Sequence, residues 1–387
     1  MTENVVVLGA TGSIGTSTLD VIRHLDGRFR AVAVTANSKW EELADIAREF
    51  SPELAVIGDE SLEGPLRQRL AGTDVEVCSG EEGLDRASSY ERGDIFITGI
   101  AGGTGLHATV NAVKTGKRVG VANKEPFVMA GRLISAMVRE TGCEIVPVDS
   151  EHSAVFQCLR GEKPEEVRKV YITGSGGPFR TWPAQDMGRV TVRDALNHPT
   201  WDMGRKITVD SATMMNKTLE LLEARWLFGL APQQLDVIIH PQSIIHSMVE
   251  FRDGSVKAQL GTPDMTLPIQ YALTFPERAP SGRGFVDFLD VGELTFEEPD
   301  PDKYPAIRIG RELLSKQGDT WGVIVNAANE TAVTLFLDEQ IAFTDITGLI
   351  EHAVDEFASE EECTLEEIVA LDADVRNFFE KEYTCDT

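Results

Sequence analysis

The segment Val5-Val6-Val7-Leu8-Gly9-Ala10-Thr11-Gly12-Ser13-Ile14-Gly15 decides the class of fold. Its first four residues are apolar and mostly β-branched, which predicts a buried strand, and the run from Thr16 to Leu25 is compatible with a helix. Glycines placed between a strand and a helix permit a tight turn and let backbone N–H groups approach a pyrophosphate. The segment therefore predicts a dinucleotide-binding turn, with an ordinary strand-to-helix turn as the alternative.

After this segment, the first third of the chain repeats the alternation of strand and helix. Six further short runs rich in β-branched residues are separated by helix-compatible stretches, and they cover residues 31–35, 54–57, 75–77, 95–98, 119–122 and 145–148. Such alternation is typical of a parallel sheet with helices on both faces. We expect an α/β fold whose Rossmann-like NADPH-binding domain spans residues 1–149.

The end of the second predicted strand indicates which dinucleotide would bind. NAD-dependent enzymes usually carry an acidic residue there, where it holds the ribose 2′-hydroxyl. This chain has Asn37-Ser38-Lys39 after Thr35-Ala36, and small polar groups with a lysine favour a 2′-phosphate. The sequence therefore predicts NADPH, with a solvated loop lysine as the alternative for Lys39 itself.

The remainder of the chain has a different pattern. Mixed helices and strands predict an α+β catalytic domain over residues 150–280, in which Asp253-Gly254 marks an antiparallel hairpin. An acidic stretch containing Pro and Gly predicts a linker over residues 281–302. Residues 303–387 predict an all-α domain, with the main helices at 321–337, 346–357 and 364–371.

Composition narrows the classes of function. The chain has 387 residues and a net charge of −27, which would repel nucleic acid and anionic lipid. We find no apolar segment long enough to span a bilayer and no signal peptide before Val5. The cysteines show no spacing of a zinc site or a disulfide framework; they are Cys78, Cys143, Cys158, Cys363 and Cys385. We expect a cytoplasmic protein with reduced thiols.

Two acidic residues follow the last predicted strand of the first domain. Asp149 and Glu151 are two positions apart, and on an extended segment such residues point the same way. Two carboxylates aimed at one point suit a hard cation. A solvated strand end explains the pair equally well, and His152 is more simply a histidine at a helix start than a third ligand.

A long helix is predicted to start at Ser211, a residue type that suits an N-cap. Asn216, Lys217 and Glu220 share one face of this helix because they are three and four positions apart. An amphipathic surface helix accounts for Lys217 and Glu220 as well. Together with the Gly-rich turn at 173–178, however, this face offers the hydroxyl, amide and ammonium groups of a phosphate site.

The segment between these two motifs, residues 197–206, combines turn residues with large side chains. Such a segment can close over a ligand and exclude water. Core packing is the alternative for Trp201 and Met203, and a hydrogen-bonded structural role is the alternative for His198.

Further motifs extend to the helical end of the chain. In order, the recognisable motifs are Gly-Ala-Thr-Gly-Ser-Ile-Gly at 9–15, Ala122-Asn123-Lys124-Glu125, Asp149-Ser150-Glu151-His152, Gly174-Ser175-Gly176-Gly177-Pro178-Phe179, His198-Pro199 to Glu220, 239–246, 259–264 and Asn326-Ala327-Ala328-Asn329-Glu330. In this ordered set the chain resembles the 1-deoxy-D-xylulose 5-phosphate reductoisomerase family, NADPH-dependent enzymes of the non-mevalonate isoprenoid pathway.

The resemblance implies a role for each matching residue. Asp149, Glu151 and Glu220 would hold one Mg²⁺ or Mn²⁺. Ser175, Ser211, Asn216 and Lys217 would bind the substrate phosphate, and Ser150, Lys124 and His198 would contact the sugar. The NADPH positions would be Thr11, Gly12, Ser13, Ile14, Asn37, Ser38, Lys39, Asn123, Glu125 and Gly204. Residues 199–206 would form a flap with Trp201 over the substrate, and the family suggests a homodimer.

The reaction implied is the rearrangement of 1-deoxy-D-xylulose 5-phosphate to an aldehyde, followed by hydride transfer to give 2-C-methyl-D-erythritol 4-phosphate. Lys124 and Glu151 are candidates for assisting proton movement, and the sequence does not distinguish acid from base. The alternatives are an NADP-dependent semialdehyde or homoserine-type reductase, which needs no set of three carboxylates, and a non-enzymatic NADP-sensing regulator.

Overall fold

A computed structural model describes residues 2–201 and 203–384, so Asp202 and Cys385 lie outside the described residues. The strands are β1 (Glu3–Leu8), β2 (Phe29–Ala36), β3 (Leu54–Ile57), β4 (Glu76–Ser79), β5 (Ile95–Thr98), β6 (Arg118–Val121), β7 (Glu144–Pro147), β8 (Val167–Gly174), β9 (Leu235–Ile239), β10 (Ile245–Phe251) and β11 (Val256–Leu260). The helices before the second sheet are α1 (Ser13–His24), α2 (Trp40–Phe50), α3 (Glu63–Arg69), α4 (Gly80–Ser88), α5 (Leu106–Lys114), α6 (Glu125–Thr141) and α7 (Ser150–Cys158). Those that follow are α8 (Val192–Ala195), α9 (Arg205–Thr213), α10 (Met215–Phe228), α11 (Thr266–Thr274), α12 (Phe288–Val291), α13 (Pro305–Leu314), α14 (Thr320–Leu337), α15 (Asp345–Phe357) and α16 (Leu365–Thr384).

The chain divides into two compact units, and three segments make up the first: residues up to Asn123, Ile134–Ser153 and Asp264–Gly284. Its seven-stranded sheet has the order β4-β3-β2-β1-β5-β6-β7, and every neighbouring pair of strands is parallel. The predicted α/β fold with a Rossmann-like sheet is therefore confirmed. The strand order reverses beside β1, and the carboxyl ends of β1 and β5 are where an open parallel sheet binds its ligand.

The second unit contains Lys124–Leu133, Ala154–Pro263 and the chain from Phe285 onward. Its four-stranded sheet has the order β11-β10-β8-β9, with β10 antiparallel to β8 and β11. The predicted hairpin is thus present, and Gly254 takes the positive φ of 86° that its turn requires. The helical region is also present, although α16 extends well beyond the predicted 364–371.

One apolar core joins the helices of the second unit to its sheet. The Phe343 ring lies 5.2 Å from that of Phe179, which follows β8, and 5.6 Å from that of Phe336 in α14. Edge contacts between rings at this separation stabilise packed cores. Among the described residues, no helix has the length and apolar character that a membrane span requires.

Two helix starts differ from the predictions. Ser211 is not an N-cap: it lies inside α9, because the left-handed φ of 63° at Met214 ends that helix and α10 begins only at Met215. Glu151 is not on an extended segment: α7 begins at Ser150, directly after Asp149. Neither boundary could be predicted from the sequence, because the strand and helix signals lie too close together along the chain.

Candidate active site

The glycine turn after β1 lies at the expected edge of the first unit. A side chain on Gly15 would place its Cβ 2.2 Å from the Gly9 carbonyl oxygen, and one on Gly9 would come within 2.7 Å of the Gly99 carbonyl oxygen after β5. No side chain caps the first turn of α1 at Gly12, and that turn contains no acidic residue. The predicted residues Thr11 to Ile14 therefore present helix N–H groups, which suit an anionic pyrophosphate.

The predicted 2′-phosphate loop follows β2, the strand next to β1. Asn37, Ser38 and Lys39 are exposed, and the Lys39 ammonium pairs with Glu42 at 3.3 Å on the surface. An exposed pair of this kind is weak and leaves the lysine available to a stronger anion. Asn123, after β6, donates through Nδ2 to the Gly102 carbonyl oxygen at 3.0 Å.

The acidic turn after β7 also belongs to the first unit. Asp149 Oδ1 accepts from the backbone N–H of Glu151 at 3.2 Å and lies 3.1 Å from Nδ1 of the buried His152. Ser150 donates its hydroxyl hydrogen to Glu151 Oε2. The expectation that His152 starts a helix is borne out, and Asp149 anchors its ring. The two carboxylates and the hydroxyl are thus neighbours at the start of α7.

Glu220 is the centre of a buried polar cluster in the second unit, where its side chain is 1% exposed. Lys124 Nζ donates to its Oε1 at 3.0 Å, and Lys217 Nζ donates to its Oε2 at 2.7 Å. Asn216 donates to Oε1 as well, and its own Oδ1 accepts from Lys124 Nζ at 2.8 Å. The sequence placed Asn216, Lys217 and Glu220 on one helical face, and α10 does so.

The charges of this cluster decide what it can bind. Lys124 and Lys217 are 5% and 6% exposed, so two buried ammonium groups lie beside the Glu220 carboxylate. A buried charge is costly unless it is paired and hydrogen-bonded, and here the three side chains satisfy one another. The ammonium groups of this cluster suit an anionic ligand such as a phosphate, and the carboxylate suits a cation.

His198 holds two of the predicted phosphate-binding hydroxyls together. Its Nε2 lies 3.3 Å from Ser175 Oγ and 3.1 Å from Ser211 Oγ. The Lys217 stem lies against the end of β8, because a side chain on Gly174 would come within 3.1 Å of Lys217 Cε. The second unit therefore brings the predicted phosphate-binding residues of β8, α9 and α10 into one region.

The protonation state of His198 follows from its contacts. The backbone N–H groups of Thr200 and Trp201 donate to Nδ1 at 3.1 and 2.9 Å, so this nitrogen must carry a lone pair. Burial, with a smaller contribution from the Lys217 charge, lowers the pKa of His198 from 6.5 to about 4. His198 is thus a neutral ring whose Nε2–H donates, and it fixes the backbone of the predicted flap at Trp201.

Two residues that the sequence did not single out support the Gly-rich turn after β8. The buried Tyr304 donates its hydroxyl hydrogen to the Gly176 carbonyl oxygen at 2.9 Å. Lys303 Nζ donates to the carbonyl oxygens of Arg180 and Trp182 at 2.8 and 2.6 Å. They precede α13 and directly follow the predicted linker, where a polar run before a helix gives no signal of such contacts.

A half-buried lysine, Lys206, was also missed. Lys206 Nζ lies 2.7 Å from Glu125 Oε1 and 2.9 Å from Asp210 Oδ2. Burial opposes the charged form, but Asp210, Glu125 and Glu330 outweigh it and raise the pKa of Lys206 above its ordinary value. The spacing of Lys206 and Asp210, four positions apart in α9, was the available signal. Gly204, a predicted NADPH position, is the exposed residue that precedes α9.

The predicted metal ligands are divided between the two units, with Asp149 and Glu151 in the first and Glu220 in the second. Each set has the chemistry of a hard-cation ligand, because carboxylate oxygens are the donors that Mg²⁺ prefers.

Family models and known relatives match nearly the whole chain. Residues 5–131 match the model described as 1-deoxy-D-xylulose 5-phosphate reductoisomerase, and residues 145–228 and 260–378 match two models of the C-terminal domains of that enzyme. The chain is 49% identical over 376 residues to the 1-deoxy-D-xylulose 5-phosphate reductoisomerase of Chloroherpeton thalassium, with 97% of each chain covered.

Solved structures agree with these matches. The reductoisomerase of Zymomonas mobilis in complex with NADPH is 43% identical, with a TM-score of 0.92 over 97% of this chain and 98% of that one. A reductoisomerase in complex with NADPH, fosmidomycin and magnesium is 39% identical, with a TM-score of 0.93 over 99% of this chain and 98% of that one.

Proposed function

This chain belongs to the 1-deoxy-D-xylulose 5-phosphate reductoisomerase family, and we propose that the clusters around Glu220 and Asp149 form its active site. The enzyme converts 1-deoxy-D-xylulose 5-phosphate to 2-C-methyl-D-erythritol 4-phosphate with NADPH and a divalent cation, Mg²⁺ or Mn²⁺, in the non-mevalonate pathway. Membership of the family excludes the semialdehyde or homoserine-type reductase and the NADP-sensing regulator.

We base the assignment of the active site on Glu220, whose buried carboxylate lies between two lysines. Its oxygens accept from Lys124 at 3.0 Å and from Lys217 at 2.7 Å. A carboxylate buried this deeply needs positive charge beside it, and a divalent cation would supply more of that charge. We assign Glu220, with Asp149 and Glu151, as the metal ligands; the resemblance to the family and the hard oxygen donors support this assignment.

The phosphate of the substrate would be bound in the region around α10. Lys217 supplies the charge, Asn216 supplies an amide, and the hydroxyls of Ser175 and Ser211 supply further donors. Because His198 is neutral, its Nε2–H orients these two hydroxyls without adding charge. Charge-assisted hydrogen bonds to phosphate oxygens are among the stronger polar interactions in proteins.

The sugar would lie beside Lys124, Ser150 and Glu151. When bound, the cation supplies Lewis-acid polarisation of the ketose carbonyl, and NADPH supplies the hydride. Lys124 Nζ and the Glu151 carboxylate are the groups that would hold or accept a proton at the substrate hydroxyls. Trp201, held by His198, would cover the substrate and exclude water.

NADPH would bind at the edge of the first unit. The pyrophosphate would lie at the Gly9 to Gly15 turn, and the 2′-phosphate would lie at Asn37, Ser38 and Lys39. The remaining positions proposed from the resemblance are Asn123, Glu125 and Gly204. Two of these residues are held firmly: Asn123 by the Gly102 carbonyl oxygen and Glu125 by Lys206.

The direct test follows the loss of NADPH absorbance when the purified chain is mixed with 1-deoxy-D-xylulose 5-phosphate. We expect turnover with Mg²⁺ or Mn²⁺, and its loss when a chelator removes the metal. Restored turnover after metal addition would show that the chelator had not damaged the protein. The absence of turnover with metal, NADPH and substrate at saturating concentrations would refute the proposal.

We also propose that the chain forms a homodimer through the free edge of its second sheet. β11 is the edge strand, and Val256 within it is 54% exposed. Phe285 and Leu289, in the linker region, are 84% and 92% exposed. Exposed edges and apolar patches of this kind commonly mark interfaces.

Light scattering after size-exclusion chromatography tests the dimer. We expect the wild type to elute with twice the mass of the chain, and the double variant Val256→Lys/Leu289→Lys to elute as a monomer. Val369→Lys is the control, because Val369 in α16 is also partly exposed, at 39%. A monomeric wild type would refute the dimer. A cytoplasmic location stays a prediction.

A further inference from the structure

We propose that Lys206 is a positioning residue which holds Glu125 and thereby keeps Lys124 on Glu220. The inference rests on the proposed function, because it assigns to Lys206 an effect on the reaction at Glu220. The contacts that support it lie within the second unit, and Lys206 itself would touch neither the substrate nor the metal.

Lys206 forms two ion pairs with carboxylates that are themselves buried. Its ammonium lies 2.7 Å from Glu125 Oε1 and 2.9 Å from Asp210 Oδ2, and these carboxylates belong to residues that are 8% and 1% exposed. Asn329 in α14 donates through Nδ2 to the other oxygen of Asp210 at 2.9 Å. Asp210 is therefore fixed from two sides, which in turn fixes the ammonium of Lys206.

The Lys206–Glu125 ion pair can affect Lys124 because of where its two residues lie in the chain. Glu125 is the first residue of α6, and Lys124 directly precedes it. Lys206 is in the first turn of α9 and is the last residue of the segment 199–206 that we propose as the flap. The ion pair therefore ties the end of the flap to the residue next to Lys124.

The charges show what loss of the Lys206–Glu125 ion pair would do. Burial raises the pKa of Glu125, but the Lys206 ammonium, a backbone hydrogen bond and, last, the Lys124 charge outweigh burial and lower the pKa below its ordinary value. Lys124 is thus the next cation that acts on Glu125. Without Lys206, the buried Glu125 carboxylate would attract Lys124 away from Glu220 and Asn216, where it now donates at 3.0 and 2.8 Å.

The experiment compares Lys206→Met, Glu125→Gln and the double variant in the full-length protein with metal and NADPH. Lys206→Met keeps the length of the side chain and removes its charge. Lys169→Met is the matched control, because Lys169 is equally exposed, at 28% against 29%, and forms a 2.8 Å pair with Asp236.

We expect Lys206→Met to lower kcat by about 100-fold, the scale of a displacement of about 1 Å in an active site. Its KM for the sugar phosphate should change by less than about threefold, because the phosphate-binding residues are untouched. Lys169→Met should keep the wild-type kcat. A merely structural loss would instead lower the fraction of active protein in a variant. The thermal midpoint and active-site titration with NADPH would show that loss.

The double variant supplies the decisive comparison. If Lys206 acts through Glu125, the double variant should have a kcat within about threefold of Glu125→Gln alone, because the Glu125 carboxylate is no longer present to attract Lys124. A double variant at least tenfold slower than Glu125→Gln would overturn the proposal, and so would a Lys206→Met variant with wild-type kcat.

The comparison with Glu125→Gln remains available if Lys206→Met fails to fold, because the double variant removes both charges of the Lys206–Glu125 pair and Asp210 keeps its hydrogen bond from Asn329. A wild type without turnover would instead refute the proposed function, so the two failures are distinguishable.

Discussion

Lys124 Nζ donates to Glu220 Oε1 at 3.0 Å, although the two residues are 96 positions apart in the chain. The lysine precedes α6 and the glutamate lies in the middle of α10, so the contact exists only because these elements pack within the second unit. It places a buried ammonium group beside a buried carboxylate.

Glu220→Gln should lower kcat at least about 1,000-fold, because it removes a charged metal ligand that also pairs with the buried ammonium groups of Lys124 and Lys217. The affinity for NADPH should stay within a few-fold of that of the wild type. Steady-state kinetics and the fluorescence of bound NADPH measure the two effects. Glu250→Gln is the control, since Glu250 is a partly buried carboxylate paired with Arg168. Equal losses of turnover and NADPH binding in Glu220→Gln would contradict the assignment.

Lys217→Met should raise the KM for the sugar phosphate by about 10- to 100-fold, the effect of losing a charge-assisted hydrogen bond to a phosphate. Its kcat should fall less than its kcat/KM does. Initial rates at varied substrate concentration give both constants, and Lys169→Met serves as the control lysine variant. An unchanged KM would mean that Lys217 only neutralises Glu220, with which it pairs at 2.7 Å.

His198 should make the protein less stable in mild acid. Its pKa is lowered from 6.5 to about 4, so between these values the unfolded chain binds a proton that the folded chain does not. The free energy of unfolding should therefore fall as the pH falls from about 7 towards 4. Urea denaturation at several pH values should show a shallower fall for His198→Gln. Parallel curves for the two proteins would show that His198 is not held neutral.

Gly15→Ala should weaken NADPH binding by at least about 100-fold, because its Cβ would lie 2.2 Å from the Gly9 carbonyl oxygen and force the turn apart. Gly64→Ala is the matched control in the same unit: Gly64 is also in a helix, and its Cβ would meet no atom within 4 Å. Titration of NADPH fluorescence compares them. Equal affinity in the two variants would show that the turn does not contact the pyrophosphate.

Local patterns in the sequence were sufficient for most of the first unit. The strands of the parallel sheet are short apolar runs, and each is predicted by its own residues because burial on both faces demands such runs. The shared face of Asn216, Lys217 and Glu220 followed in the same way from helical spacing. The wrong N-cap at Ser211 shows the limit, because a single left-handed residue, Met214, divides the predicted helix.

The sequence by itself determined the fold class and the residue types of the proposed site, because strand and helix periodicity and the order of the motifs are properties of neighbouring residues. Only the tertiary structure decided which charges pair. It placed Lys124 on Glu220, Lys206 on Glu125, and His198 as a neutral donor to Ser175 and Ser211. Partners so far apart in the chain are selected by packing and by the cost of burying an unpaired charge, which depend on the whole fold and leave no local pattern.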